Sequence, residues 1–519
     1  MYTHAESIAG STFEEDTRSL PIPNIRKLAA RGAMFKSQYV ASPVCCPSRA
    51  AFWSGRHVHH IPHEHNGIKV NGAWNNYEGL ADNDTKIMDM LNSSYNVEIS
   101  GKEDWQTGGH AWWNWLQFWT TYTSFPYNMT EGGFNEQPEA TLGIDGGNGP
   151  QCDGVGVVTN TTRNSHAPDW ARANQTTAWI SSVGAPGAKE GKPFFAYQGM
   201  NIVHPPYETT QFWLDTIDND TMTVPEWEPL EDMHPCALQQ SMLKGCIPDY
   251  TNPDNAAFLL DKARRRHIRR VYRANINEFD AMVGSYGGFA LATCFPCAMI
   301  LHPLPAVEAV EKEGLLDSTE RRQFYKMVPY ESSSRVPLVV AGPGVQPGRV
   351  VSAPTSHIDL FPTIMDAAQV PPSTWPSDLD GQSLWPLLTG GPDPTRPVVS
   401  QGHMADIGSS WYLIRRGDMK LIVYVENEPE LFNVTADPME ATNLASKLPD
   451  VVASMTKDLQ EVVDMPSVAQ DVASYNLDMW RWYNGTLGAG WETETATAPS
   501  WNRSWSREPD AALAALVAW

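Results

Sequence analysis

Apolar residues recur along this chain with two different periods. Residues 194–200, Phe-Phe-Ala-Tyr-Gln-Gly-Met, form a short apolar run, the pattern of a buried strand that ends in a loop. Residues 336–341, Val-Pro-Leu-Val-Val-Ala, form another, stopped by Gly342, Pro343 and Gly344. Between them Ile268, Val271, Tyr272, Ile276, Phe279, Met282 and Val283 fall at three- and four-residue intervals, which predicts an amphipathic helix. That helix begins among arginines at 264–266, 269 and 270, expected to form a solvated face. Alternating strands and helices predict an α/β sandwich with a large, mostly parallel sheet, whose ligands sit at the loops beyond the strand ends.

Past residue 370 the pattern changes. Pro, Ser and Gly accumulate, predicting a linker over 376–396 between a main domain, 1–375, and a smaller C-terminal subdomain, 397–519. In the latter, residues 420–425 (Lys-Leu-Ile-Val-Tyr-Val) and 430–433 (Glu-Leu-Phe-Asn) read as paired strands of an antiparallel sheet. The Trp-, Thr- and Ala-rich tail has no clear period.

Composition narrows the function classes. With 42% hydrophobic and 19% charged residues the chain is globular. Its net charge of −23, from 37 Lys+Arg against 60 Asp+Glu, argues against nucleic acid as a partner. No apolar run approaches the roughly 18 residues of a membrane span. The first residues, Met-Tyr-Thr-His-Ala-Glu, show no signal peptide. Asn-x-Ser/Thr acceptors at Asn83, Asn92, Asn128, Asn160, Asn174, Asn219, Asn433, Asn484 and Asn502 nevertheless point to the secretory pathway, with an extracellular or lysosomal/vacuolar destination. Of seven cysteines, Cys236 and Cys246 could close a short loop, while the Cys294/Cys297 pair is weak as a metal or redox motif. His57, His59, His60, His63 and His65 are expected on a surface loop rather than around a metal.

The chemistry concentrates in residues 45–56, Cys-Cys-Pro-Ser-Arg-Ala-Ala-Phe-Trp-Ser-Gly-Arg. Pro47 can occupy a first helical turn, where its missing N–H costs nothing. Cys45 then sits just outside the helix N-terminus, where peptide dipoles favour an anion. Arg49, one turn in, offers a planar fork to an oxyanion. This run resembles the signature Cys-x-Pro-Ser-Arg, with its trailing Gly-Arg, of the sulfatase family. Residues 97–102 (Val-Glu-Ile-Ser-Gly-Lys), His204 in Asn-Ile-Val-His-Pro-Pro, and residues 323–331 (Gln-Phe-Tyr-Lys-Met-Val-Pro-Tyr-Glu) extend the resemblance, as do residues 357–363 and 430–443. Residues 42–55, Trp74-Asn-Asn and Met233-His-Pro narrow it to a branch that removes the 2-O-sulfate of glucuronate in glycosaminoglycans.

The resemblance implies an alkaline-phosphatase-like fold and a metal-assisted, nucleophilic hydrolysis of sulfate esters. A formylglycine-generating enzyme would oxidise Cys45 to formylglycine, which hydrates, attacks sulfur and also ligates calcium. Calcium, Arg49, Lys102 and Lys326 would draw charge from the sulfuryl oxygens, and His204 would protonate the departing sugar oxygen. Where many members carry a His two residues after the lysine, this chain has Asp104, and His110 is the expected substrate contact. The implied substrate is a sulfated carbohydrate or an aryl sulfate. A surface this acidic requires a local basic pocket to capture a sulfated polysaccharide.

Two family pieces have no counterpart here. The family opens with an apolar strand ending in paired aspartates, and Glu14-Glu15-Asp16 follows no such strand. An internal strand ending in Asp-His-Gly or Asp-Asn should precede residue 323, yet Thr319 runs directly into Glu320. Without these acidic clusters calcium is expected to bind weakly or not at all. The expectation is an imperfect gene translation with a late start, a retained intron and a skipped segment. Two rival readings remain: a phosphomonoester or phosphonate hydrolase on the same fold, and a non-catalytic carbohydrate-binding homologue.

Overall fold

A computed structural model describes residues 20–65, 68–70, 72–74, 80, 84–102, 157–159, 163–200, 202, 208–218, 233–237, 262–286, 299–301, 327–403, 410–425 and 427–475. In chain order its strands are β1 (Ala33–Tyr39), β2 (His63–His65), β3 (Ile68–Val70), β4 (Asn96–Gly101), β5 (Val157–Thr159), β6 (Phe194–Gly199), β7 (Glu208–Thr210), β8 (Met299–Leu301), β9 (Arg335–Ala341), β10 (Arg349–Val351), β11 (Thr355–Ser356), β12 (Val398–Gly402), β13 (Trp411–Arg416), β14 (Met419–Tyr424) and β15 (Glu430–Asn433). The helices used below are α1 (Pro23–Arg31), α2 (Cys45–Ser54), α3 (Ala167–Trp179), α4 (Lys262–Tyr286), α5 (Leu360–Ala367) and α6 (Pro449–Gln460).

The main sheet runs β10-β1-β9-β8, with β11 also on β1. It is mixed rather than uniformly parallel: β1 is parallel to β10 and β11 and antiparallel to β9. Two further pairs, β4–β6 and β5–β7, are parallel, a pairing that requires a long crossover between the strands. Alternate residues of β1 and β9 face one core, in which Phe35, Leu338 and Val340 pack against Phe52 and Trp53 of α2 and Leu360 and Phe361 of α5. Segment 376–396 joins that core through Leu384, Leu387 and Leu388.

The helical period read from 268 to 283 is realised in α4, where all seven apolar positions are buried. Its arginines are not a solvated face. Arg265, Arg269 and Arg273 are buried, and Arg270 donates to the carbonyls of Leu214 and Ile217. The Arg270 guanidinium thus caps the carbonyls at the end of the helical turn Gln211–Leu214, a long-range use that sequence spacing does not show.

The C-terminal subdomain is the antiparallel sheet β12-β13-β14-β15, with Ile422 opposite Glu430 and Met419 opposite Asn433. Its face packs on α6 through Ile414, Leu421, Leu431, Met455 and Leu459. It meets the main sheet where Gln401 N–H donates to the Ala41 carbonyl at 3.0 Å. Part of the histidine run lies at this junction, not on a surface loop. His57 and His59 are half-buried, and His59 contacts the Gln401 amide at 2.9 Å and the Val462 carbonyl at 3.1 Å. Burial lowers His57 to about 4 and His59 to about 3. Among the acceptor asparagines, Asn92 and Asn174 are exposed. Cys236 is buried in the seam core, and Cys246 lies outside the described residues.

Candidate active site

Helix α2 starts one residue earlier than the spacing suggests, with Val44 as N-cap and Cys45 in the first turn. Pro47 falls at the third position, where no intrahelical bond is lost. Gly55 ends the helix in the left-handed region at φ +70, and a Cβ there would meet Leu379 and Phe361 at 2.9 Å, so the trailing glycine is required for both reasons. Every residue of α2 is buried, which puts the Cys45 side chain away from bulk water.

Strand β4 delivers the second group. Gly101 has φ +86, and a Cβ on it would lie 1.9 Å from the Gly199 carbonyl oxygen of β6. Only glycine permits this approach. Lys102 then leaves the sheet end with its N–H bonded to the Gly199 carbonyl at 2.9 Å and its Nζ 3.3 Å from Cys45 Sγ. Arg49 lies alongside: Nη1 donates to the Lys102 carbonyl at 2.6 Å and to the Tyr197 hydroxyl at 2.6 Å. Cys45 and Arg49, one turn apart on α2, therefore meet Lys102 from more than fifty residues away in the chain. A helix N-terminus, a lysine and an arginine around one buried side chain form a cradle for negative charge.

His357 packs behind this group. Its ring stacks on Phe52 with centroids 5.9 Å apart, and Nδ1 accepts the Ala41 N–H at 3.4 Å. Burial, and then the charge of Arg49, lower its pKa to about 3, so it stays neutral. Asp359 accepts the N–H groups of Ser356 and Gln382 and pairs with Arg396, which pins segment 357–363 as scaffold.

His110, His204 and Lys326 lie outside the described residues. Two anchors beside them are described. Asp169, fully buried on α3, accepts the Ile202 N–H at 2.6 Å, two residues before His204. Met327 follows Lys326 at φ +89, a conformation a non-glycine residue rarely holds, and its carbonyl accepts the Trp411 indole N–H at 3.3 Å. Sequence reasoning missed Tyr197 and Asp169, and read residues 357–363 only as a family landmark without a place beside the site. Only Tyr197 left a signal, as the one aromatic hydroxyl in the apolar run two residues before Gly199.

The resemblance implies two accessories, calcium and a formylglycine at residue 45. Hard cations take six to eight oxygens, and among the described residues no three His, Cys, Asp or Glu side chains are grouped to share a metal. The described residues do not fit calcium. The acidic stretches at 14–16 and 317–320 lie outside them. An oxygen-bearing side chain at position 45 does fit, since the Lys102 ammonium and the helix N-terminus both favour negative charge there.

Comparison with known proteins follows the same lines. The family model "Sulfatase" matches residues 4–286, more than half of the 519-residue chain, and the model "N-sulphoglucosamine sulphohydrolase, C-terminal" matches residues 319–465. Arylsulfatase K of Xenopus laevis is 30% identical over 537 residues, spanning 96% of this chain and 88% of the relative. In fold, the chain is similar to a phosphonate monoester hydrolase of Agrobacterium radiobacter, at TM-score 0.63 and 17% identity over 88% of this chain and 92% of that one. It is also similar to a protein described as a 2-O GAG sulfatase, at TM-score 0.50 and 17% identity over 89% and 88%. No described helix is long and apolar enough to cross a membrane. The chain belongs to the sulfatase family and is a sulfate ester hydrolase.

Proposed function

We propose that the chain removes the 2-O-sulfate of glucuronate in a glycosaminoglycan, at a centre built on Cys45. The observation that carries this reading is the meeting of Lys102 Nζ with Cys45 Sγ at 3.3 Å, beside an Arg49 tied to the Lys102 backbone. Likeness over nearly the whole chain to arylsulfatase K supports the substrate class. Oxidised to formylglycine by a generating enzyme and hydrated, residue 45 would supply an oxygen nucleophile for sulfur. Arg49 and Lys102 hold the sulfuryl oxygens and stabilise charge that grows on them in the transition state. Lys326 adds a second ammonium, His204 protonates the departing sugar oxygen, and His110 contacts the sugar. The described residues offer no ligand set for calcium. The organisation is a catalytic domain over 1–375, a connecting segment over 376–396 and a subdomain over 397–519, made in the secretory pathway.

The test uses protein co-produced with a formylglycine-generating enzyme and two disaccharides, one sulfated at the 2-position of glucuronate and one at the 6-position of the hexosamine. Sulfate release from the first at a rate at least about tenfold above the second, a difference of about 1.4 kcal/mol in barrier, is expected. Equal rates overturn the substrate assignment.

A further inference from the structure

The contacts of Tyr197 reach further than a core aromatic requires. Its hydroxyl accepts from Arg49 Nη1 at 2.6 Å and donates to the Lys102 carbonyl at 3.1 Å, while the same Nη1 donates to that carbonyl at 2.6 Å. The three groups close a hydrogen-bonded ring. Of the three, only a phenol both accepts and donates, so the ring cannot close without it. The phenol is itself fixed: it packs edge-on to Trp53 with centroids 4.8 Å apart, and the β4–β6 register sets Tyr197 opposite Ile99. Two residues along, the required glycines at 101 and 199 bring the strand ends into contact.

We propose that Tyr197 is a positioning residue of the hydrolysis. Its hydroxyl aims the Arg49 guanidinium and holds the end of β4, so that Lys102 Nζ stays at residue 45. It touches no substrate; it acts through Arg49 and Lys102. This rests on the reading above that those two cations face the sulfuryl group. A purely structural tyrosine in the same core provides the contrast: Tyr95 donates to the Ala368 carbonyl at 3.3 Å, away from the cradle.

The experiment compares the full chain with Tyr197→Phe and Tyr95→Phe. Thermal midpoint, kcat and KM on an aryl sulfate, and the Kd of inorganic sulfate by calorimetry are read for each. Tyr197→Phe is expected to lower kcat and weaken sulfate binding by about tenfold each, less than the hundredfold that a misplacement of about 1 Å can cause. Tyr95→Phe leaves both constants within about twofold, the level expected away from special features. Arg49→Lys, alone and with Tyr197→Phe, serves as the second measurement. Action through Arg49 predicts that the tyrosine change adds less than about twofold in the lysine background, a coupling that independent sites do not show. Additive losses, or a Tyr197→Phe protein whose constants match Tyr95→Phe, overturn the positioning role. Should the wild type hydrolyse the aryl sulfate without preferring the glucuronate 2-O-sulfate, while Tyr197→Phe still lowers kcat and weakens sulfate binding about tenfold, the proposed substrate falls and the positioning role stands.

Discussion

Two buried clusters of cations divide the work of this molecule. One is the cradle at Cys45, where Arg49 and Lys102 meet backbone carbonyls, a phenol and a sulfur. The other lies at the seam between the main sheet and the C-terminal sheet. There Lys420, fully buried, reaches Glu331 at 3.1 Å and Glu440 at 2.7 Å, and Arg335 reaches Glu331 at 2.9 Å. Tyr39 donates to Glu331 and accepts from Arg415. Burial alone would raise the Glu331 carboxyl, but Lys420, Arg335 and Arg415 outweigh it and hold it at about 2. The comparison separates two uses of buried charge. At the seam opposite charges satisfy each other and hold two sheets together. At the cradle the cations converge on one reactive side chain, where an anion is to be received.

The difference predicts which loss follows which substitution. Lys420→Met would remove the cation that Glu331 and Glu440 share, leaving Glu331 with Arg335 and Tyr39, and breaking such a network by removing one partner costs about 3–5 kcal/mol. A urea titration should show that loss, while turnover per folded molecule stays within about twofold of the wild type. A Lys420→Met protein of unchanged stability would break the comparison at its stronger end. Lys102→Gln is the converse. It should reduce kcat by about 10²–10³, the usual effect of deleting one electrostatic donor, with a midpoint near that of the wild type. A large stability loss without a rate loss would reassign Lys102 to the seam's kind of role.

Much of the cradle was legible because it is local. The run from 45 to 56 carries the thiol, the proline that fits the first turn, Arg49 and the glycine that ends α2. Lys102 was legible only through the resemblance of residues 97–102 to the family's strand ending in Gly-Lys; the φ of +86 at Gly101 and its contact with Gly199 then explain why a glycine precedes it. The seam was not legible. Glu331 meets Lys420, Glu440 and Tyr39 across 89, 109 and 292 residues, and no period or spacing encodes such pairs. The arginines of α4 and the histidines at 57 and 59 misled for the same reason. Their polarity suggested solvent, yet distant chain segments supply their partners. The α/β class and the C-terminal sheet followed from apolar periods, but the antiparallel pairing of β1 with β9 depends on chain order across 300 residues and leaves no local trace.

Protonation sharpens the comparison further. His57, His59, His357 and His403 are lowered by burial, to about 4, 3, 3 and 3, so the unfolded chain takes up protons below pH 6.5 that the folded chain does not. Stability is full above pH 6.5 and falls as the pH drops, by about 1.4 kcal/mol per unit for each such group between pH 6 and 4. His166, raised by Asp169 against its burial, has the opposite sign, as do the raised carboxylates Glu278, Asp280 and Asp359 at lower pH. Four against one in the histidine range gives a net decline, and the thermal midpoint should drop between pH 7 and pH 5. Glu331 does not contribute there, because its stabilisation is present above the ordinary carboxylate range and is lost only as the pH falls toward 2. A midpoint that rises on acidification to pH 5 would mean that the histidines are not the controlling groups. The smallest expected effect comes from Tyr39→Phe, which removes the hydroxyl between Glu331 and Arg415. A loss of about 1–3 kcal/mol and no change in kcat are expected, the reverse of the outcome for Tyr197→Phe.

The central claim is that the cradle exists to serve a modified residue 45. Peptide mass spectrometry of the protein, co-produced with a formylglycine-generating enzyme, tests this directly on the segment containing Cys45 and Cys46. The account predicts an aldehyde at position 45 and an intact thiol at Cys46. An intact thiol at both positions would contradict it.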